Sequence, residues 1–243
     1  MRSGRAADVL VLQHTVEDGP GYLGEWLESQ GARWDVFCTA AGQAYPESVA
    51  GYRALAVLGG EWSANDDRPS LRQAERLILQ ADALGLPIIG HCLGGQLMAR
   101  AFGGRVQVHT QAEIGWLPIE RLPLPAAQAW LGDEPQATVF QWHYDSFVQL
   151  PPGAQLLARS GACAHQAFAL GPHLGMQFHI EVTPAKIDLW LQPADAIPAE
   201  VIERHPRTVQ PPDRIRALTP SHQDGSLRLA RQIYQTWAAR WKS

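Results

Sequence analysis

Short apolar runs recur along the first half of the chain and alternate with helical patterns. Val9 to Leu12, Leu55 to Leu58 and Leu86 to Ile89 are such runs, and unbroken apolar runs of this length are typical of strands buried on both faces of a parallel sheet. From Pro69 to Leu84 the apolar residues instead recur at the spacing of a helix. The alternation predicts an α/β fold with an open, mostly parallel sheet flanked by helices.

The pattern changes from Gln107 to about Gly175, where short β-like segments are separated by proline and glycine. We expect these segments to be antiparallel strands that return to the main sheet. The run from Leu174 to Phe178 predicts one more buried strand, which delivers His179. Beyond Pro184 the pattern is helical but interrupted by prolines, of which Pro220 is the last. We therefore expect a helical C-terminal extension that packs on the same domain.

Composition and charge restrict the partners. The chain of 243 residues is 46% hydrophobic and 18% charged, with a formal net charge of -4, so neither nucleic acid nor a membrane is an expected partner. No apolar run reaches the length of a membrane span. The 3 cysteines are an odd number at irregular spacing, which does not indicate a disulfide framework or a zinc site. We expect a cytoplasmic protein without a cofactor or metal.

The segment from Gly90 to Gln96 follows a predicted strand and leads directly into a predicted helix. Its Gly-x-Cys-x-Gly pattern is that of a nucleophile elbow, a turn so sharp that it tolerates little bulk on either side of the nucleophile. Cys92 would lie at the positive end of the helix, which favours the reactive thiolate. The pattern predicts covalent attack by Cys92 on an electrophilic carbon.

A cysteine nucleophile needs a base, and the base needs a group that orients it. His179 and Glu181 are two positions apart, so if the preceding strand continues through them their side chains share one face. An oxyanion also needs donors. The backbone N–H groups of Leu93, after the nucleophile, and of Gly60, at a strand end, are the candidates.

Five segments between Val9 and Val182 carry a family pattern in order. They are Leu58 to Gly60, Gly90 to Gln96, Glu113 to Trp116, Trp142 to Asp145 and Gln177 to Glu181. Together they resemble the class I, triad-type glutamine amidotransferases, and most closely the stand-alone branch that is similar to the amidotransferase domain of GMP synthase. The resemblance implies a flavodoxin-like domain over residues 1–190 and a helical extension over residues 191–243.

The resemblance also implies a reaction and a pocket. Cys92 would attack the γ-glutamyl amide of glutamine or of another γ-glutamyl compound and release ammonia or an amine. His179 would protonate the leaving nitrogen and then activate water. Gln96 would hold the α-amino-acid end of the substrate. The main chain of Trp142, His143, Tyr144 and Asp145 would complete the pocket.

Several functions fit these residues. The chain could be the glutaminase half of a two-protein synthase that passes ammonia to a partner, or a stand-alone γ-glutamyl peptidase. An α/β-hydrolase with a cysteine nucleophile is disfavoured, because those enzymes place the acid before the histidine, whereas Glu181 follows His179. The last alternative is a catalytically silent binding or regulatory module of the same fold, which the intact Cys92, His179 and Glu181 disfavour.

Overall fold

A computed structural model describes residues 7–192 and 196–242. In this part of the chain a nine-stranded sheet has the order β2-β1-β3-β4-β9-β8-β7-β5-β6. The strands are β1 (Val9–Gln13), β2 (Trp34–Cys38), β3 (Ala54–Val57), β4 (Ile88–His91), β5 (Arg105–Arg121), β6 (Gln136–Gln149), β7 (Gln155–Arg159), β8 (Ala167–Leu170) and β9 (His173–Met176).

The sheet has a parallel half and an antiparallel half. The strands β2, β1, β3, β4 and β9 pair in parallel, whereas β8, β7, β5 and β6 continue the sheet in antiparallel pairings. This arrangement confirms the predicted α/β fold and the return of antiparallel strands to the main sheet. The short segments expected between Gln107 and Gly175 include parts of two long strands, because β5 and β6 form a hairpin that is paired along most of its length.

Helices cover both faces of the sheet. They are α1 (Tyr22–Ser29), α2 (Pro69–Ala83), α3 (Leu93–Ala101), α4 (Pro125–Leu131), α5 (Pro184–Trp190), α6 (Ala199–Arg204) and α7 (Pro212–Ala238). Within β1, Val9 and Val11 pack in the core layer shared with α1, α4 and α7. Leu10 and Leu12 pack with α2 and α3 on the other face, because successive side chains of a strand point to opposite faces. None of these helices is long and apolar enough to cross a membrane.

The long C-terminal helix α7 is part of the main core. Its buried residues Ile233, Tyr234 and Trp237 belong to the same core layer as β1 and β3, and the Trp237 indole N–H donates to the Pro87 carbonyl at 3.1 Å. The expectation that Pro220 interrupts this helix is wrong, because α7 runs through it. A proline removes one backbone donor, and here its ring lies on the exposed side of the helix while both flanking halves are held by packing.

Two glycines let α3 lie against the ends of the central strands. A Cβ atom at Gly94 would lie 2.1 Å from the Val57 carbonyl oxygen, and one at Gly95 would lie 2.5 Å from the Met176 carbonyl oxygen. Both contacts are with backbone atoms of the sheet, which cannot move aside as a flexible side chain can. The glycines therefore fix how closely the first turn of α3 approaches β3 and β9.

Replacing Gly94 with alanine should destabilise the fold, because the added methyl group must displace either α3 or β3. We expect a loss of about 1–3 kcal/mol in the free energy of unfolding, as for overpacked cores. Urea denaturation followed by circular dichroism measures it. Gly161→Ala is the matched control, since a Cβ there meets no atom within 4 Å, and its effect should stay within about 0.5 kcal/mol. Equal midpoints for the two variants would contradict the close approach of α3.

Candidate active site

The predicted elbow is present between β4 and α3. Cys92 has a φ of 47°, and it is the one non-glycine residue with a positive φ in the described ranges. Its N–H donates to the Met176 carbonyl at 2.9 Å, so the strained turn is tied to the neighbouring strand β9. Such strain persists only where the surroundings hold it, and it places the side chain of an elbow residue at the sheet edge. Gly60 and Cys92, which follow β3 and β4, reach the same edge.

His179 and Glu181 meet each other, although not by the predicted route. The condition for that prediction, a strand that continues through both residues, is not met, because β9 ends at Met176. Beyond it His179 forms a single bridge, in which its N–H donates to the Phe140 carbonyl at 2.9 Å. His179 Nδ1 nevertheless lies 2.6 Å from Glu181 Oε1. The bridge to Phe140 on β6 therefore positions His179, in place of a continuous strand.

The three residues form one electrostatic unit. Burial alone would lower the pKa of His179, but the Glu181 carboxylate and the neighbouring Cys92 thiol outweigh it and raise the pKa of His179 to about 10. Burial would raise the pKa of Glu181, but the positive charges of His179 and Lys186 hold it well below its usual range. Both shifts favour a charged imidazolium beside a charged carboxylate, the arrangement that stabilises a thiolate.

A buried lysine adds a positive charge next to Glu181. Lys186 Nζ, at the start of α5, lies 3.6 Å from Glu181 Oε1 and 2.5 Å from Asp18 Oδ1. It also donates to the Gly19 carbonyl at 2.7 Å and lies 5.1 Å from the ring centre of Trp190. Lys186 therefore connects Glu181 to the loop after β1.

The opposite side of Glu181 faces the core. Glu181 Oε2 makes no hydrogen bond to the residues that the structure describes, and on this side His91 Nε2 lies 4.0 Å from it. The same His91 nitrogen lies 3.3 Å from the hydroxyl of Tyr234 on α7. Burial lowers the pKa of His91, so this ring is neutral near neutral pH. Tyr234 of the C-terminal helix is thus separated from Glu181 by the His91 ring alone.

Two backbone N–H groups are available for an oxyanion. Leu93 is the first residue of α3, where the backbone donors have no partner within the helix. Neither its N–H nor that of Gly60 makes a hydrogen bond to another described residue. A Cβ atom at Gly60 would lie 3.0 Å from the Leu93 side chain, so the two residues are neighbours. The oxyanion role of both remains a prediction.

A cleft of about 610 Å³ opens above Cys92 and His179. Its lining residues are Thr15, Glu17, Asp18, Gly60, Glu61, Cys92, Trp142, His179, Leu189, Trp190 and Ala196. The rings of Trp142 and Trp190 meet edge to face with centres 5.8 Å apart, and Trp190 packs against His179 with centres 5.0 Å apart. Cys92 is only 5% exposed, so a substrate reaches the thiol through this cleft.

The residues predicted to hold the substrate lie at different depths. Trp142 lines the cleft, and its carbonyl lies 3.6 Å from Cys92 Sγ. Gln96 and His143 are buried behind it, and both donate to the Asp145 carbonyl, at 3.1 and 3.0 Å. Tyr144 is 41% exposed. Gln96 and His143 thus shape the backbone around Asp145, and a direct contact of either with substrate remains a prediction.

His143 belongs to a second buried polar cluster. Its Nε2 lies 3.1 Å from Glu113 Oε2, and Ser160 and Gln166 donate to the same carboxylate at 2.7 Å each. Glu113 opens one of the five family segments, and here it fixes the ring that supports Asp145. No group of three or more possible metal ligands occurs within residues 7–192 and 196–242.

Sequence reasoning missed several residues of the site. Asp18 follows β1 at the same sheet edge as Gly60, so the rule that ligands bind at the carboxyl ends of parallel strands could have indicated it. Lys186 carried a weaker signal, as a lone cation five positions after Glu181. Tyr234 and Trp190 lie in helices whose docking the sequence pattern does not specify, and no local signal identifies them.

Comparisons with known proteins place the chain in a family. The sequence model described as Glutamine amidotransferase class-I matches residues 30–190. The glutamine-hydrolysing GMP synthase subunit of Thermococcus kodakarensis is 34% identical over 132 residues, which are 54% of this chain and 69% of that protein. The chain covers between 53% and 69% of the length of the separate GMP synthase subunits that it matches.

Two other similar proteins extend over more of the chain. The glutamine amidotransferase-like protein YfeJ of Salmonella typhimurium is 31% identical over 194 residues, which are 75% of this chain and 78% of that protein. The crystal structure of a glutamine amidotransferase from Methylobacillus flagellatus superposes with a TM-score of 0.89 at 34% identity, covering 98% of this chain and 96% of that one. The likeness therefore includes the C-terminal helix as well as the sheet.

Replacing Glu181 with glutamine should weaken the thiolate of Cys92. The substitution removes the carboxylate that raises the pKa of His179, so this pKa falls and the imidazolium–thiolate pair is less populated near neutral pH. We expect alkylation of Cys92 by iodoacetamide to slow about tenfold or more near neutral pH. The difference should close at high pH, where the thiol ionises without its partner.

Peptide mapping by mass spectrometry separates Cys92 from the buried Cys38 and Cys163. Glu28→Gln is the matched control, because Glu28 is exposed at the end of α1, and its alkylation profile should match that of the unmodified chain. Indistinguishable pH profiles for Glu181→Gln and Glu28→Gln would show that Glu181 does not set the ionisation of the site.

Proposed function

We propose, because this chain belongs to the class I glutamine amidotransferase family, that it hydrolyses the γ-glutamyl amide bond of glutamine or of a γ-glutamyl compound at Cys92. The observation that carries the proposal is that Cys92 and His179 line the same cleft and that His179 Nδ1 lies 2.6 Å from Glu181 Oε1. The family membership supports a glutamine-hydrolysing type of activity, and the three residues supply its chemistry. Their roles as nucleophile, acid–base and orienting carboxylate are part of the proposal.

In the first step the Cys92 thiolate attacks the γ-carbonyl carbon. The new C–S bond forms, and the carbonyl oxygen becomes an oxyanion that accepts hydrogen bonds from the N–H groups of Gly60 and Leu93. When the tetrahedral intermediate collapses, the C–N bond breaks and the leaving nitrogen takes the proton of the His179 imidazolium. Ammonia or an amine departs, and a γ-glutamyl thioester remains on Cys92.

The second step returns the enzyme to its starting state. Neutral His179 removes a proton from water, which attacks the thioester carbon, and the C–S bond breaks to release glutamate and the thiolate. Glu181 stabilises the imidazolium in both steps and stays ionised, as its lowered pKa favours. Residues 1–190 would supply this machinery, while the helices after them complete its surroundings.

The amino-acid end of the substrate would lie on the side of Cys92 that faces the Trp142–Asp145 segment. The Trp142 carbonyl already lies within 3.6 Å of Cys92 Sγ, and Gln96 and His143 hold the Asp145 carbonyl. A main chain fixed in this way can offer preorganised polar groups to an α-amino acid. The leaving nitrogen would then lie on the other side, next to His179.

Two versions of this function differ in the fate of the nitrogen. In one, the chain passes ammonia to a synthase partner, as suggested by its likeness to the glutamine-hydrolysing subunits of GMP synthase. In the other, it works alone on γ-glutamyl compounds. Weak turnover by the isolated chain, with stimulation by a co-purifying synthase, would support the first version, and full turnover without any partner would support the second.

Replacing Cys92 with alanine should abolish turnover. Removal of the nucleophile leaves no route to the thioester, and we expect the release of glutamate from glutamine and from γ-glutamyl peptides to fall at least about a thousandfold. Glutamate production is measured by a coupled dehydrogenase assay. Cys38→Ala is the matched control, since Cys38 ends β2 and does not line the cleft, and it should retain turnover. Equal rates for the two variants on every γ-glutamyl substrate would refute the proposed function.

A further inference from the structure

We infer that the substrate is a γ-glutamyl amide whose leaving amine carries a second, positively charged nitrogen, as in the amide of a diamine. The inference rests on the proposed function and names the substrate class of the same cleft. It is carried by an oxygen of Asp18 beside His179 that accepts no hydrogen bond from a described residue, by two unpaired carboxylates in the lining and by two tryptophan rings.

His179 identifies the leaving-group side of the cleft, because it gives its proton to the departing nitrogen. Asp18 lies on that side. A methyl group at Gly59 would lie 2.5 Å from Asp18 Oδ2 and 2.9 Å from His179 Cε1, so the carboxylate and the imidazole flank the same glycine. The γ-glutamyl end of the substrate would lie next to the Trp142–Asp145 segment, on the other side of Cys92. The leaving amine, next to His179, would then extend toward Asp18.

One oxygen of Asp18 is paired and the other is open. Asp18 is 4% exposed, and its Oδ1 lies 2.5 Å from Lys186 Nζ. Its Oδ2 makes no hydrogen bond to any residue in the described ranges, although it belongs to a residue that lines the cleft. A carboxylate at the base of a cleft attracts a cation, and a substrate ammonium group would give Oδ2 a charge-assisted hydrogen bond.

The remaining charges of the cleft have the same sign. Glu17 and Glu61 also line it, both are exposed, and neither forms an ion pair with a described residue. The positive groups near the base are His179 and Lys186, which face the thiolate of Cys92 and the carboxylates of Glu181 and Asp18. No lysine or arginine is among the described lining residues, so the cleft as a whole favours a cation.

The aromatic wall fits the same ligand. Trp142 and Trp190 line the cleft, and the ammonium of Lys186 already lies 5.1 Å from the ring centre of Trp190. Tryptophan faces attract cations, and they also pack against methylene groups. A flexible aliphatic amine with a distal ammonium offers both a cation and methylene groups. Ammonia released from glutamine would contact neither the two tryptophan rings nor the carboxylates of Glu17 and Glu61.

Three synthetic substrates test the charge. The γ-glutamyl amides of diaminobutane, pentylamine and aminovalerate share one four-carbon spacer and end in an ammonium, a methyl and a carboxylate group. We expect kcat/KM to be at least about tenfold higher for the ammonium compound than for the methyl compound, and lowest for the carboxylate. The preference should shrink as salt is added, because Glu17 and Glu61 are exposed.

Variants assign the preference to named residues. The double variant Glu17→Gln and Glu61→Gln should reduce the ammonium-to-methyl ratio severalfold, and Asp18→Asn should reduce it further. Glu28→Gln, which alters an exposed carboxylate on α1, should leave the ratio unchanged. If Asp18→Asn fails to fold, the double variant still tests the inference. Calorimetric binding of the intact γ-glutamyl amides to Cys92→Ala gives a readout independent of turnover, with tighter binding expected for the ammonium compound than for the methyl compound.

The outcomes separate the two proposals. Cleavage that depends on Cys92 but is equally fast for the ammonium and methyl compounds, or fastest for glutamine, overturns the inference and leaves the proposed function intact. An unchanged ratio in both carboxylate variants also overturns it. No Cys92-dependent cleavage of any γ-glutamyl compound, glutamine included, refutes the proposed function and the inference with it.

Discussion

The carboxylate of Glu181 is fully buried, and a buried carboxylate must be matched by positive charge and by hydrogen-bond donors. His179 supplies a hydrogen bond at 2.6 Å, and Lys186 supplies a second charge at 3.6 Å. Lys186 in turn requires Asp18, which brings the loop after β1 to the site. The buried charge of Glu181 is thus the common partner that holds α5, the loop after β1 and the segment after β9 around the thiol.

The parts of this arrangement that obey local rules could be predicted from the sequence. The central strands are unbroken apolar runs, and the elbow needs glycine beside Cys92 because α3 touches the sheet backbone, so both leave a pattern in consecutive residues. The pairing of His179 with Glu181 was also predictable from spacing. Its physical basis was not, since the geometry comes from a bridge to Phe140 on a strand distant in sequence.

The rest depends on contacts that no stretch of sequence encodes by itself. Lys186 looks like an ordinary helix residue until Asp18 and Glu181 are seen around it. The β5–β6 hairpin could not be recognised as two long strands because its proline and glycine residues, such as Pro118 and Gly115, are typical of turns. Packing also overrode local preference at Pro220, where α7 continues because both of its halves are held against the core.

The hydroxyl of Tyr234 lies 3.3 Å from His91 Nε2, although 143 positions separate the two residues. A chain still being synthesised therefore contains the elbow, His179 and Glu181 well before it contains the helix that covers them. Until α7 docks, water reaches the acid from the side that the helix will occupy, and water weakens the attraction between Glu181 and the imidazolium. The docked helix thus keeps water from the core side of Glu181, so the strength of the pair that it forms with the imidazolium depends on the last helix of the described chain.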